Sequence, residues 1–354
     1  MFPQGKTFLT SIIADCEFFE PIAAVQRDAR DRLLAERLRP DRSRDYSIAS
    51  EYPLVLGSEG TRHSICVAPR DDALEARAIV AHANLWLRTM ISNSHSDGMG
   101  QIKLALVGNV ATGTQAQGKG WMRKLLTEIE RRARSQGADA IVLWSDLTDF
   151  YQKMGFVPAG NELRIMLSVP KLSQLDRPTV WTPEGYQTGK LPHDLMHRML
   201  ELRALGFKQP FFQLERSIHE FSELLKIPDL ALFVGHSPAK KGIDAAMGHH
   251  DRSIDFYFII GKGADMQGVI HEWGTTDMNL LLGGAGAIAQ CGGLEEIMIL
   301  VPPTIEEARS TFLHQASTSI EGHAMAWVKP LSPESKHLVD RALLNGFIWG
   351  LDSI

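Results

Sequence analysis

The residues best suited to chemistry lie between Val107 and Phe156. A short loop carries Gln115, Gln117, Gly118, Lys119, Gly120 and Trp121. Gly118 and Gly120 leave backbone N–H groups unobstructed, and the sequence after them reads as a helix. A phosphate or diphosphate placed there meets free amides at the positive end of a helix dipole. Further on, Tyr151 stands ahead of Gly155-Phe156; a phenol can give a proton to a leaving group. Three elements must position these residues. Residues 102–112 are apolar and rich in β-branched side chains, which predicts a buried strand running into the loop. Residues 121–136 place Met122, Leu125, Leu126, Ile129 and Ala133 on one helical face, and Gly137 stops that helix. Residues 140–144 (AIVLW) then predict a second buried strand.

The spacing Gln115-x-x-Gly118-x-Gly120, after a strand and before an amphipathic helix, resembles motif A of the GCN5-related N-acetyltransferases (GNAT). Phe150-Tyr151-x-x-x-Gly155-Phe156 resembles motif B of the same family. The match is good over roughly residues 60–168 and weaker elsewhere. Gly113-x-x-x-x-Gly118-Lys119 also resembles the phosphate loop of nucleotide triphosphatases, but that loop needs a Ser or Thr hydroxyl next, for magnesium. Gly120 stands in that place. The blandest alternative is a glycine turn that only joins a strand to a helix; Tyr151 and Gly155-Phe156 weigh against it.

The chain has 354 residues, 44% of them hydrophobic and 22% charged, which suits a globular protein of two domains or one large one. A net charge of −5 gives no reason to expect nucleic-acid binding. Arg123, Lys124, Arg131, Arg132 and Arg134 make one helix basic, read here as a solvated outer face. Cys16, Cys66 and Cys291 are odd in number and widely spaced, which fits a reducing cytoplasm and no disulfide framework. Neither a signal peptide nor a membrane-spanning run is expected.

Along the chain, strands are expected at 7–13, 61–69 and 77–88, a helix at 21–38, loops at 39–50 and 91–100, and closing strands within 156–168. Residues 169–186 contain three prolines and read as a linker. Beyond it a similar order returns: helices at 192–205 and 214–226, strands at 229–235, 243–250, 254–260 and 267–273, a helix at 277–291, a strand at 295–301 and a helix at 304–316, with 323–329 and 346–353 closing a sheet. The reading is therefore α/β (α+β). It comprises two GNAT-like domains at 1–170 and 171–354, each a mixed, mostly antiparallel, splayed sheet flanked by helices. The second copy is degenerate. No Gln-x-x-Gly-x-Gly follows Trp273, and Gly283, Gly284 and Gly286 fall inside the helix-like run.

The resemblance implies an N-acetyltransferase that moves an acetyl group from acetyl-CoA to an amine by direct attack through a tetrahedral intermediate, with a longer acyl-CoA donor left open. It assigns Val110, Ala111 and Thr112 to the pantetheine arm, with Val110 also stabilising the tetrahedral oxyanion. Gln115, Gln117, Gly118, Lys119, Gly120 and Trp121 go to the diphosphate. Tyr151 becomes the acid for the leaving thiolate. The general base is left open among Asp146, His271 and Glu272, for each of which a structural role is the commoner reading. His249-His250-Asp251 is not read as a metal site, because adjacent strand residues face opposite sides. No metal is expected. Trp86, Trp144 and Trp327 read as core or cleft-wall aromatics. The acceptor is an amine, with a small molecule favoured over a protein; nucleic acid and membrane are not expected partners, and the oligomeric state stays open. The alternative is a non-catalytic acyl-CoA sensor.

Overall fold

The computed structural model describes residues 16–43, 46–69, 78–92, 101–175, 177–205, 211–238, 254–303 and 316–354. The expected strands at 7–13 and 243–250, the helix at 304–316 up to its last residue, and His249-His250-Asp251 lie outside them.

The first half supplies strands β1 (Cys16–Phe19), β2 (Ser64–Pro69), β3 (Ala81–Ser92), β4 (Gln101–Thr112), β5 (Ala140–Leu143), β6 (Val157–Ala159) and β7 (Glu162–Ser168). Its main helices are α1 (Ala24–Leu38), α2 (Trp121–Ser135) and α3 (Thr148–Lys153). The second half supplies β8 (Thr179–Trp181), β9 (Phe212–Leu214), β10 (Ala231–His236), β11 (Phe256–Lys262), β12 (Asp265–Thr275), β13 (Glu296–Val301), β14 (Ser317–His323), β15 (Ala326–Pro330) and β16 (Gly346–Phe347). Its main helices are α4 (His193–Ala204), α5 (Ile218–Leu224), α6 (Met278–Cys291) and α7 (Pro333–Leu344).

Two sheets result. One has the order β1-β2-β3-β4-β5-β15-β6, with β9 added beside β3 and β16 beside β9; the other has the order β8-β10-β11-β12-β13-β7-β14. The two orders are the same, position for position, once β7 and β15 are seen to have changed places. β4 and β5 run parallel, and so do β12 and β13. β15 pairs antiparallel with β5 and β6, and β7 pairs antiparallel with β13 and β14.

The exchange corrects two expectations. Residues 162–168 do not close the first sheet; they close the second, and 326–330 close the first in return. The pairing register fixes it: Ile165 pairs with Ile299 and Leu167 with Ile297, and both β7 side chains are buried in an apolar cluster that also holds Trp273. A single apolar cluster includes Leu104, Leu106 and Val142 from the first sheet and Phe256, Phe258 and Trp273 from the second. The 169–186 stretch, expected as linker, contains a helical turn at Val169–Leu172 and β8 as well. Of the 214–226 stretch, Leu214 ends β9 and the helix is limited to Ile218–Leu224; Ser217 caps it by accepting from the Glu220 N–H, with the Glu220 carboxylate accepting the Ser217 N–H.

Helix α2 forms as its periodicity requires. Trp121, Leu125, Leu126, Ile129 and Ala133 make its buried stripe. Each large apolar side chain covered there is worth about 1.5–3 kcal/mol. The opposite face is ion-paired along the helix: Arg131 and Arg132 reach Glu128 at 2.7 and 2.8 Å, and Arg134 reaches Glu130 at 2.7 Å. Cys66 is buried and Cys291 exposed, and both are free. Among the described residues, no helix is long and apolar enough to cross a membrane.

Candidate functional site

Strand β4 is built to leave one edge open. It pairs with β5 only from Leu104↔Ala140 to Val107↔Leu143. From Gly108 to Thr112 that side of β4 has no β5 partner. On its other side the register slips. His82 pairs with Ala111 and Asn84 with Gly108, so β4 carries one residue more than β3 across that span. Such a bulge bends the strand and strengthens its twist. Asn109 absorbs it in the left-handed region, at φ 49°. The result is a splay whose wall is a row of backbone amides and carbonyls, which an extended, amide-bearing ligand could pair with as a further strand would.

Buried polar groups pin the bulge. His82 Nδ1 lies 2.9 Å from the Asn109 carbonyl oxygen. The Asn109 amide donates to Asn84 Oδ1 at 3.0 Å, and Asn84 donates to the carbonyls of Val55 and His63, each at 3.2 Å. Arg30 fixes the far end through Ser64 Oγ at 3.1 Å and the Leu56 carbonyl at 2.6 Å. Burial pushes the His82 imidazole down to about 3, so the ring is neutral, with Nδ1 the donor to Asn109. Its Nε2 and the Thr112 hydroxyl are buried without a hydrogen-bond partner.

The loop follows directly. Gly118 and Gly120 have φ of 72° and 79°, a conformation that other residues adopt only with strain. A Cβ added at either would meet nothing within 4 Å, so the glycines serve backbone conformation and leave open space above them. Gly120 caps α2 without a side chain on the first-turn amides. Those amides face a cavity of about 290 Å³ whose lining includes Val110, Ala111, Thr112, Gln117, Gly118, Gly120 and Trp121. The sequence analysis assigned all seven. Gln115 and Lys119 are exposed nearby but do not line the cavity. The structure adds Arg37 and Leu38 from the end of α1, and Leu147. Arg37 donates to Thr114 Oγ1 at 3.4 Å, which sets a guanidinium at the mouth of the loop. No sequence signal pointed to Arg37, because its place follows from α1 packing against β4.

Tyr151 lies deeper. It is 3% exposed, packed edge-on to Phe150 and Phe156, and is not among the lining residues. Burial raises its pKa, opposed by a hydrogen bond with Ser145. Ser145 also accepts the Leu147 N–H on its hydroxyl and the Trp327 indole N–H on its carbonyl, so the loop after β5 is held by the exchanged strand β15. Asp146 is exposed.

The equivalent splay of the second sheet is filled. β12 and β13 pair through Ile270↔Ile299. Three residues further on, Trp273, 1% exposed, donates its indole N–H to the Leu300 carbonyl at 2.9 Å and bridges the gap between the two strands. His271 and Glu272 are fully buried. Glu272 accepts two bonds from Arg216, at 2.6 and 2.8 Å, and one from the Tyr257 hydroxyl at 3.1 Å. That carboxylate is satisfied and structural. Among the described residues, no group of three or more His, Cys, Asp or Glu side chains is placed to hold a metal ion.

Residues 87–159 match the family model described as "Acetyltransferase (GNAT) domain". No curated protein matches the chain. Among solved structures, the GCN5-related N-acetyltransferase from Kribbella flavida is similar at a TM-score of 0.56 and 15% identity, covering 89% of this chain and 70% of that one. The corresponding protein from Anabaena variabilis ATCC 29413 gives 0.60 and 11%, covering 90% and 73%. The Saccharomyces cerevisiae N-myristoyltransferase with bound myristoyl-CoA gives 0.50 and 12%, covering 94% and 89%. At these identities the likeness is one of fold, and its extent takes in both sheets.

Proposed function

We propose, from a chain that carries a GNAT domain, that this protein transfers an acyl group from an acyl-CoA thioester to an amine, with acetyl-CoA as the donor. One observation carries the reading: the open edge of β4 from Val110 to Thr112 and the loop residues Gln117, Gly118, Gly120 and Trp121 line the same cavity. A diphosphate on the loop directs the pantetheine arm back along β4, amide against amide. The thioester then arrives near Gly108 to Val110. There a β4 N–H, Val110 in our assignment, would stabilise the oxyanion formed when the amine attacks. The attacking nitrogen gives up a proton to water, the C–S bond breaks, the electron pair leaves on sulfur, and Tyr151 supplies the thiol proton and regains one from solvent, its raised pKa keeping it a donor at neutral pH. Lys119, Arg37 and Gln115 would add charge and polarity around the phosphates.

We read the chain as a tandem pair divided near residue 170, whose first copy works and whose second has lost its cofactor site. The acceptor is an amine, small molecule rather than protein, and the setting is the cytoplasm. The burial of Tyr151 gives one observation in favour of the sensor alternative. Calorimetric titration with acetyl-CoA, followed by thiol release with a panel of amines, separates the two. Binding with turnover supports the transferase, binding without turnover on any acceptor supports the sensor, and no binding at millimolar ligand removes both.

A further inference from the structure

The segment Gly350–Ile354 joins the two splays. Its first residue, Gly350, lies so close to His271 that an added Cβ would meet the His271 Cβ at 2.7 Å, its ring carbon Cγ at 2.9 Å and the Met266 sulfur at 2.6 Å. Its last residue reaches the first half: an added Cβ at Gly108 would overlap the carbonyl group of Ile354. His271 and Gly108 are each the residue just past the last parallel pair in their sheets. The segment therefore runs from the foot of one splay to the foot of the other.

What holds it is a cluster of charges in the second half. Asp352 is wholly buried and receives Arg216 at 2.8 and 3.1 Å and Arg203 at 3.5 Å. Arg216 is shared with Glu272. Lys262, 3% exposed, gives its ammonium to the Gly350 carbonyl at 2.9 Å, to Ser353 Oγ at 3.0 Å and to the Ser353 carbonyl. Ser353 closes the turn by donating to the Gly350 carbonyl at 2.7 Å. Burying these five charged side chains is costly, and a region without cofactor chemistry has no evident need of it.

We propose that Gly350–Ile354 is a positioning strap: the buried cluster around Lys262 and Asp352 anchors it, and Ile354 forms the wall behind the thioester at Gly108. This rests on the acyl-CoA reading above. The second half then serves the first half's chemistry without binding cofactor. The wall keeps water from the acyl carbon on the side away from the phosphate loop. Lys262 and Asp352 are positioning residues; neither touches the reacting atoms.

The test uses acetyl-CoA and water alone. Lys262→Met loosens the strap from the second half, Ser353→Ala does so more mildly, and Gly108→Ala displaces Ile354 from the first half. In each, amide hydrogen exchange of residues 348–354 should quicken, by roughly tenfold for Lys262→Met. In Lys262→Met and Ser353→Ala the kcat for amine-free thiol release should rise about fivefold while the KM for acetyl-CoA stays within about twofold. A folded Lys262→Met variant with unchanged exchange overturns the anchoring. Faster exchange with unchanged hydrolysis overturns the wall. Should Lys262→Met not fold, Ser353→Ala decides by the same two readouts and Gly108→Ala by exchange alone. If the unaltered protein fails to bind acetyl-CoA, the cofactor reading falls, while the exchange measurement still decides the anchoring.

Discussion

Two glycines test against each other the proposal that the loop holds a diphosphate. Gly118 and Gly137 have nearly the same backbone, φ 72° and 73°, and neither has any atom within 4 Å of an added Cβ. Alanine at either position therefore meets no clash and pays only the left-handed conformation, about 1 kcal/mol. In a chain of this size that is a fall in Tm of about 2 °C. The two differ in where the methyl group points. Gly137 follows the end of α2, while Gly118 lines the cavity. At Gly118 the methyl occupies space that the phosphate needs to reach the amides, and one or two charge-assisted hydrogen bonds are lost. At about 1.5–3 kcal/mol, the acetyl-CoA Kd rises roughly 10- to 100-fold. Differential scanning calorimetry measures the stability term and isothermal titration the affinity. Equal stability loss with a Kd change confined to Gly118→Ala is the expected pattern. If both variants bind acetyl-CoA as tightly as the parent, the loop does not hold the diphosphate.

Tyr151→Phe removes the hydroxyl that meets Ser145; kcat for amine transfer should drop by about 10²-fold or more with the acetyl-CoA Kd unchanged, and full activity across the pH range would dismiss the acid role. Trp273→Ala in the second half should cost about 3–5 kcal/mol of stability, since a buried indole and its bond to Leu300 are lost. Calorimetric stoichiometry should still be one acetyl-CoA per chain, because no glycine loop follows β12; a second site would show that the indole alone blocks binding. His82 and His271 are buried and held at about 3 and about 4, below the unfolded value of 6.5. The unfolded chain therefore takes up protons that the folded one refuses. Stability falls as pH drops from 6.5 towards 4, by up to about 1.4 kcal/mol per pH unit for each ring. His82→Gln should flatten that slope in chemical denaturation by about one proton, and an unchanged slope would count against a neutral buried ring.

The first half was legible because its information is local. A strand, a glycine loop and a helix stripe lie within residues 102–136, and each sets its structure from near neighbours in sequence. The bulge was not legible: Asn109 takes its left-handed backbone from Asn84, His82 and a register slip between two strands, none of which is a pattern in one stretch of sequence. The exchange of β7 and β15 was hidden for a similar reason. Glu162–Ser168 alternates as any half-buried strand does, and alternation says that a face is covered without saying by which sheet. Arg37 and Ser145 stayed invisible because their places follow from tertiary packing: Arg37 reaches the cavity from the end of α1, and Ser145 bonds to Tyr151, Leu147 and Trp327.

The two sheets share an order but diverge at a few positions, and side-chain size accounts for it. Past the last parallel pair the first sheet reads Gly108-Asn109-Val110 and the second His271-Glu272-Trp273. Small residues and a bulge leave the first splay open; an indole that bonds to the facing strand closes the second. Closing it frees the buried interior of the second half for a different use, because a dry, rigid environment is what makes ion pairs directional. Arg216, Glu272 and Asp352 occupy that interior with no exposed side-chain surface. Had the second half retained only bulk, apolar residues of similar volume would have held it at least as well. Charges instead fix one geometry of Gly350–Ile354, and that geometry ends at Gly108, where the glycine leaves room for it.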